Sequence, residues 1–297
     1  MTSHTESFEG QIVAVTGGGS GIGRQYCVDL AAAGASVLVC GRGGNAEAVA
    51  DDIRKCGGIA QSFVGRVDDG AGLVEAACLH FGRLDAIIVN AGHVRDRTFA
   101  KMTSEEWLDV LDVHVQATFA IVSAVWPLFM GQGGGRIVLT TSAAGLYGNF
   151  GQSNYTAAKG AIVGLLKTLA QEGARDGILV NAIAPVAGTA MTRGMLDDSA
   201  HSLLDPAMVS AFVLAMVHPR CQSTGTIVEA GGGWGAAVRW ERSVGIAVAP
   251  GAGAWLDVLA NWQALTRFDG DAQHPSSIQD SLREALSAAN RCPVSNV

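Results

Sequence analysis

The chain has 297 residues, 48% apolar and 16% charged, with a formal net charge of −7. Such a composition excludes a disordered chain, and the acidic balance excludes a broad electrostatic footprint for nucleic acid. The opening "MTSHTESFEG" has no basic stretch followed by an apolar core, so no secretory signal is expected, and Gly, Arg or Asp interrupts each apolar run short of a membrane span.

The first apolar run, "QIVAVTG", is continuous and glycine-bounded, and it reads as a strand buried on both faces. "TGGGSGIGR" follows at once and opens the helix-period segment "IGRQYCVDLAAAG". A dinucleotide-binding unit needs glycines here: Gly17 for the turn, Gly21 for close backbone approach to a pyrophosphate, Gly23 for helix–strand packing. Gly17, Gly19, Ser20, Gly21, Ile22 and Gly23 are therefore candidate cofactor contacts. The second strand, "ASVLVCG", ends at Gly41 and Arg42, where an NAD-binding unit usually offers an acidic residue to the ribose 2′-hydroxyl. An arginine there favours a 2′-phosphate, so NADP(H) is expected, with NAD(H) as the alternative if Arg42 is only a solvated loop residue. The helix "NAEAVADDIRKCG" leads to a third strand, and "VGRVDD" after it brings Arg66 and Val67 toward the adenosine end.

The helix "AGLVEAACLHFG" precedes the strand "LDAIIVNAG", whose carboxyl end puts Asn90, Ala91 and Gly92 at the edge of the cofactor crevice. One long helix is expected over "SEEWLDVLDVHVQATFAIVSAVWPLFM". The strand "GRIVLTTS" closes on Ser142, and the next helix, "SNYTAAKGAIVGLLKTLAQEGARDG", carries Tyr155 and Lys159 one turn apart on one face. "GILVNAIAP" and "TGTIVEAGG" complete the strands. Strand–helix alternation of this kind predicts an α/β fold with a Rossmann-type doubly wound parallel sheet. We expect a single domain over residues 8–247 and a C-terminal extension over 248–297. Six dispersed cysteines without CxxC spacing read as reduced thiols, and the final "SNV" is not a peroxisomal address, so a cytoplasmic protein is expected.

Tyrosine and lysine are scarce, with three and four copies, which makes their pairing at 155 and 159 informative. A phenol titrates near 10, too high for easy proton exchange at neutral pH, and a nearby ammonium is expected to lower it. Tyr155 could then exchange a proton with a carbonyl or alcohol oxygen while a hydride moves to or from nicotinamide. Ser142 would hydrogen-bond the same oxygen.

These residues resemble those of the short-chain dehydrogenase/reductases: TGxxxGxG at 16–23, Asn-Ala-Gly at 90–92, Ser142 with Tyr155-x-x-x-Lys159, and "NAIAP". The chain is most similar to one branch, the (3R)-hydroxyacyl-CoA dehydrogenase domain of peroxisomal multifunctional (D-bifunctional) enzymes. "RDRTFAKMTSEEW", "LYGNFGQSNYTAAK", "IAPVAGTAMT", "GGGWGAAVRWER" and "ANWQAL…PSSIQDS" carry that likeness, which runs from about Phe8 to Leu286. It implies an oxidoreductase interconverting 3-hydroxyacyl-CoA and 3-oxoacyl-CoA, with Tyr155 as acid/base, Lys159 tuning it and holding ribose, and Ser142 orienting the oxygen. It also places His114 where many relatives have asparagine, either holding a water or a backbone carbonyl, or simply buried and satisfied. The branch has Asp where Gly41 stands, which bears on its NAD preference. In that family the tail wraps toward a partner subunit, so a homodimer or homotetramer is implied, with an acyl-CoA or alcohol substrate and neither nucleic acid nor membrane as partner. Alternatives are a dehydrogenase of free steroid or other secondary alcohols and, in another class, a non-catalytic dinucleotide-binding scaffold. Met191, Met195 and Leu196 would form an apolar substrate wall or pack under a lid.

Overall fold

The computed structural model describes residues 7–189, 191–192, 197–268 and 270–291. Strand β1 (Ile12–Thr16), buried at all five positions, leads through the glycine loop to α1 (Gly21–Ala32), β2 (Ser36–Gly41), α2 (Gly44–Lys55), β3 (Ile59–Val64), α3 (Gly70–Phe81) and β4 (Ala86–Val89). The second half continues with α4 (Ser104–Leu111), a π-helical turn (Asp112–Gln116), α5 (Ala117–Gln132), β5 (Gly135–Thr140), α6 (Ala143–Tyr147), α7 (Ser153–Gly173) and β6 (Ile178–Pro185). Then come α8 (Asp198–Leu203), α9 (Pro206–Val217), β7 (Ile227–Gly231), β8 (Trp234–Val238), α10 (Ala254–Ala260), α11 (Trp262–Leu265) and α12 (Ile278–Arg291).

The sheet order is β3-β2-β1-β4-β5-β6-β7-β8, with parallel pairing from β3 through β7. Parallel neighbours need crossover connections, and the helices supply them, covering both faces of a sheet whose central strands are mostly buried. The chain runs outward from β1 to β3, then returns past β1 to β4. This reversal opens a crevice beyond the carboxyl ends of β1 and β4, where ligands of doubly wound sheets bind. β7 and β8 are joined by Gly232 and Gly233, with φ of 58° and 81°. Two consecutive left-handed residues are what a two-residue hairpin turn requires.

Two elements depart in character from the sequence reading. In β3, an edge strand, Ala60 alone is buried, and Gln61 and Ser62 interrupt the apolar run that marked the other strands. The expected single long helix is divided by the π-helical turn at His114. The full stretch Ser104–Gln132 is long and apolar enough by composition to cross a membrane, contrary to the reading of its broken runs. In the structure it packs against α3 and α7.

The chain divides into two compact units, residues 1–237 and 238–297. The second unit is organised by a bridge between Arg242 and Gln273, whose N–H groups donate to each other's carbonyls at 2.8 and 2.7 Å. Asp280 accepts from the backbone N–H of Ser276 and Ser277, which pulls its carboxyl down to about 2. Leu282 and Leu286, one turn apart on α12, are exposed, as are Trp255, Leu259 and Trp262.

Candidate active site

The glycine loop is shaped by contacts that leave no room for side chains. Gly23 presses on the loop from α1, where a Cβ would meet the Gly17 carbonyl oxygen at 2.3 Å. Gly21 differs: its φ is +53° and a Cβ there would meet nothing within 4 Å, because it borders open space. Ser20 caps α1 by position without a side-chain hydrogen bond, so the first-turn N–H groups receive no capping acceptor from it. Such an uncapped amino end beside a cavity suits an anion, and the residues fit a dinucleotide pyrophosphate. Across the loop, Thr16 Oγ1 accepts from the N–H groups of Asn90 at 2.9 Å and Ala91 at 3.1 Å, which ties the ends of β1 and β4 together.

At the far end of the same cavity lie Gly41, Arg42, Asn45, Arg66 and Val67. Arg42 is exposed and makes no ion pair among the described residues. Arg66 does not add a second free charge: its guanidinium is held by Asp68 through bonds of 2.9 and 2.8 Å. Gly41 is also where α2 comes closest to β2, since a Cβ would lie 3.2 Å from that of Ala46.

At the other end, Ser142, Tyr155 and Lys159 share one wall. Ser142 N-caps the short α6, its Oγ accepting from Ala144 N–H at 3.2 Å, and its hydroxyl favours the ionised form of the nearby Tyr155 phenol. α6 lies directly on α7, and Gly145 permits it: a Cβ there would meet Cβ of Lys159 at 2.6 Å. The Lys159 ammonium donates to the Thr140 carbonyl at 2.7 Å and sits 5.7 Å from the Tyr155 ring centroid. Thr141, buried, donates its hydroxyl to the Lys159 carbonyl at 2.8 Å. These bonds join the end of β5 to α7.

The expected depression of the Tyr155 pKa is not found. Burial raises the phenol above its ordinary value and the charge of Asp96 adds to the rise, while the Ser142 hydroxyl opposes them. Lys159 is so thoroughly buried that its own ammonium is pushed down to about 7. Desolvation thus dominates on both members.

His114 sits on the π-helical turn, a distortion that often marks functional positions. Its ring is buried, edge-on to Tyr155 with centroids 5.2 Å apart. Nε2 lies 2.7 Å from the His93 carbonyl oxygen, a contact that requires Nε2 to carry the proton and donate. Of the two roles weighed, the structure has the ring holding a backbone carbonyl. Burial, then the nearby Lys159 charge, pull its pKa down to about 3, so the ring is neutral. Gly92 makes space for it: a Cβ at 92 would lie 2.1 Å from His114 Cε1.

Other residues of the site were not singled out from sequence. His93 lines the cavity and bonds Asp109 at 2.8 Å. Asn154, fully buried, donates to the carbonyls of Arg95 and Glu106 at 3.1 and 3.0 Å, and its Oδ1 accepts the Tyr155 N–H at 2.8 Å. Gln152 donates to Asp96 at 2.9 Å. Together these clamp the start of α7 and so the height of Tyr155. The signal available in the sequence was the run of amides before Tyr155, which in a helix start point to capping and loop bonding.

A single cavity of about 860 Å³ gathers Gly17, Gly19, Ser20, Gly21, Ile22, Arg42, Val67, Asn90, Ala91, Gly92, His114, Ser142, Tyr155 and Lys159. Gly23 lies outside that lining. Val186, Ala187, Thr189, Met191 and Thr192 border it beyond β6. Met195 and Leu196 lie outside the described residues. The arrangement pairs a dinucleotide cradle with a proton-bearing phenol, which suits hydride transfer at a carbonyl or alcohol carbon.

Comparison with known proteins agrees. The short chain dehydrogenase family model matches residues 11–200. The chain is 40% identical over 94% of its length to the peroxisomal hydratase-dehydrogenase-epimerase of Neurospora crassa, of which it spans 31%. It superposes on full-length peroxisomal multifunctional enzyme type 2 from Drosophila melanogaster with a TM-score of 0.84 and 33% identity, covering 96% of this chain and 50% of that one. A structure described as an NAD(P)-dependent gluconate 5-dehydrogenase from Beutenbergia cavernae, with bound NADP, matches at TM-score 0.71 and 31% identity over 77% of this chain and 98% of that one.

Proposed function

The chain belongs to the short-chain dehydrogenase family, and from that premise we propose that this oxidoreductase interconverts a 3-hydroxyacyl-CoA and a 3-oxoacyl-CoA. The observation that carries the reading is the common wall of Ser142, Tyr155 and Lys159 facing the glycine loop across one cavity. A nicotinamide dinucleotide bound there supplies or accepts the hydride. Tyr155 donates its proton to the substrate oxygen in reduction and recovers it in oxidation. Ser142, lining the cavity with Tyr155, orients that oxygen and stabilises its developing charge. Lys159 keeps two N–H donors beyond its bond to Thr140, which suit ribose hydroxyls. His114, neutral and bonded to the His93 carbonyl, positions the Gly92 edge against Tyr155.

For the cofactor we infer NADP(H), because Arg42 is exposed and Gly41 offers no carboxylate. For assembly we infer a homodimer or homotetramer in which residues 248–297 face a partner subunit. The exposed Trp255, Leu259, Trp262, Leu282 and Leu286 support this, since uncovered apolar faces mark interfaces. The chain spans 31% of the Neurospora crassa relative and 39% of the Mus musculus multifunctional enzyme type 2. A cytoplasmic location is our reading from the free Cys27, Cys40, Cys56, Cys78 and Cys221, which fit a reducing compartment. The test is NAD(P)H absorbance on mixing with 3-oxoacyl-CoA, steroid ketones and simple ketones. Turnover confined to the thioesters supports the proposal; turnover confined to free ketones overturns the substrate class.

A further inference from the structure

The substrate end of the cavity contains one tyrosine that the chemistry above does not use. Tyr147 ends α6, five residues after Ser142, and its ring lines the cavity although 65% of the residue is exposed. Its hydroxyl donates to Glu229 Oε2 at 2.8 Å. Glu229 lies on β7, paired in register with Ala184 on β6. The bond therefore starts on the element following β5 and ends on β7, passing over the carboxyl end of β6. That is the point after which Val186, Ala187 and Thr189, which line the cavity, leave the sheet. The bond restrains the phenol at a second point besides its Cα and holds it on the side of the cavity that Ser142 and Tyr155 also line.

We propose that Tyr147 is a specificity-determining residue for the acyl group, and that Glu229 positions it. Held upright, the ring admits an unbranched acyl chain and obstructs one that carries a fused ring system. Released, it turns aside and the bulky substrate enters. The inference rests on the proposed acyl-CoA reading of the same cavity, whose Ser142 and Tyr155 set where the carbonyl lies.

The experiment measures kcat and KM of the full chain with 3-oxooctanoyl-CoA and with a ring-bearing 3-oxoacyl-CoA of the sterol side-chain type. Three variants are compared with the unmodified protein: Tyr147→Phe, Glu229→Ala and Glu229→Gln. Tyr147→Phe and Glu229→Ala each break the latch, one keeping the ring and the other removing its anchor. Both are expected to raise the ratio of kcat/KM for the ring-bearing over the linear substrate by about threefold to tenfold, the size set by one solvent-exposed hydrogen bond to a carboxylate. The change falls on KM rather than kcat. In Glu229→Gln the amide oxygen accepts the same O–H, so the unmodified ratio is restored. An unchanged ratio in Tyr147→Phe and Glu229→Ala overturns the inference while leaving the acyl-CoA reading intact. So does an equal fall of kcat for both substrates, which would mark a merely structural bond. Failure of the unmodified protein to turn over either thioester overturns the acyl-CoA reading and this inference with it, and is seen before any variant is compared.

Discussion

Replacing Arg42 by Leu together with Gly41→Asp is expected to turn an NADP(H) preference into an NAD(H) preference. Arg42 is the uncompensated charge in this part of the cavity, because Arg66 is committed to Asp68 by two bonds. A hydrogen bond between charged groups contributes about 1.5–3 kcal/mol, and solvent around an exposed guanidinium puts the expected value at the lower end. Arg42→Leu alone should therefore reduce the NADPH/NADH ratio of kcat/KM by about tenfold. The aspartate adds repulsion toward a 2′-phosphate and an acceptor for a ribose hydroxyl, for a combined change of about a hundredfold. Its Cβ would stand 3.2 Å from that of Ala46 and 3.8 Å from Gly19 N, so α2 must yield by a few tenths of an ångström. Steady-state kinetics with both reduced cofactors at fixed ionic strength measures the ratio. Raising the salt should shrink the NADPH preference of the unmodified protein, as it does for any exposed ionic contact. A clear NADH preference in the unmodified protein, or a ratio indifferent to Arg42→Leu, refutes the reasoning.

Four further outcomes follow from the geometry. Tyr155→Phe should retain cofactor binding by fluorescence titration and lose about 10²–10⁴-fold in kcat; retention of more than a tenth of kcat would show that another group moves the proton. Gly92→Ala forces a carbon against His114 and should lower stability by about 1–3 kcal/mol in urea melts, with a smaller loss in a His114→Ala background if the two side chains compete for the same space. The neutral, buried His114 titrates near 3 when folded and near 6.5 when unfolded, so its contribution to stability is complete above about 6.5 and lost as pH falls toward 3; His114→Gln should flatten that limb of a stability–pH profile. Lysine at both Leu282 and Leu286 should reduce the sedimentation coefficient if α12 faces a partner subunit, and an unchanged particle would count against that interface.

The doubly wound sheet and the place of the crevice were legible because the central strands are nearly continuous apolar runs, and continuous apolarity does not need a partner to be recognised; the order of the strands came only from the structure. β3 was placed by the alternation around it and not by its own apolarity: an edge strand buries less, and its polar residues are a product of its position in the sheet. The Tyr155–Lys159 spacing was equally legible, since one helical turn places residues four apart on one face whatever surrounds them. What that pair does to its own proton affinities was not. The expectation that Lys159 would lower Tyr155 treated the two as charges in water, whereas packing of α6 and α7 buries both, raising the phenol and bringing the ammonium down to about 7. Arg42 and Arg66 looked alike in the chain, and the conformation that closes Arg66 onto Asp68 separates them. His114 and Gly92, 22 positions apart, and Tyr147 and Glu229, 82 apart, meet only when the sheet is assembled. Periodicity along a chain records which face of each element is apolar. The dielectric around a charge and the partner across a crevice are set by distances between elements, which no local pattern contains.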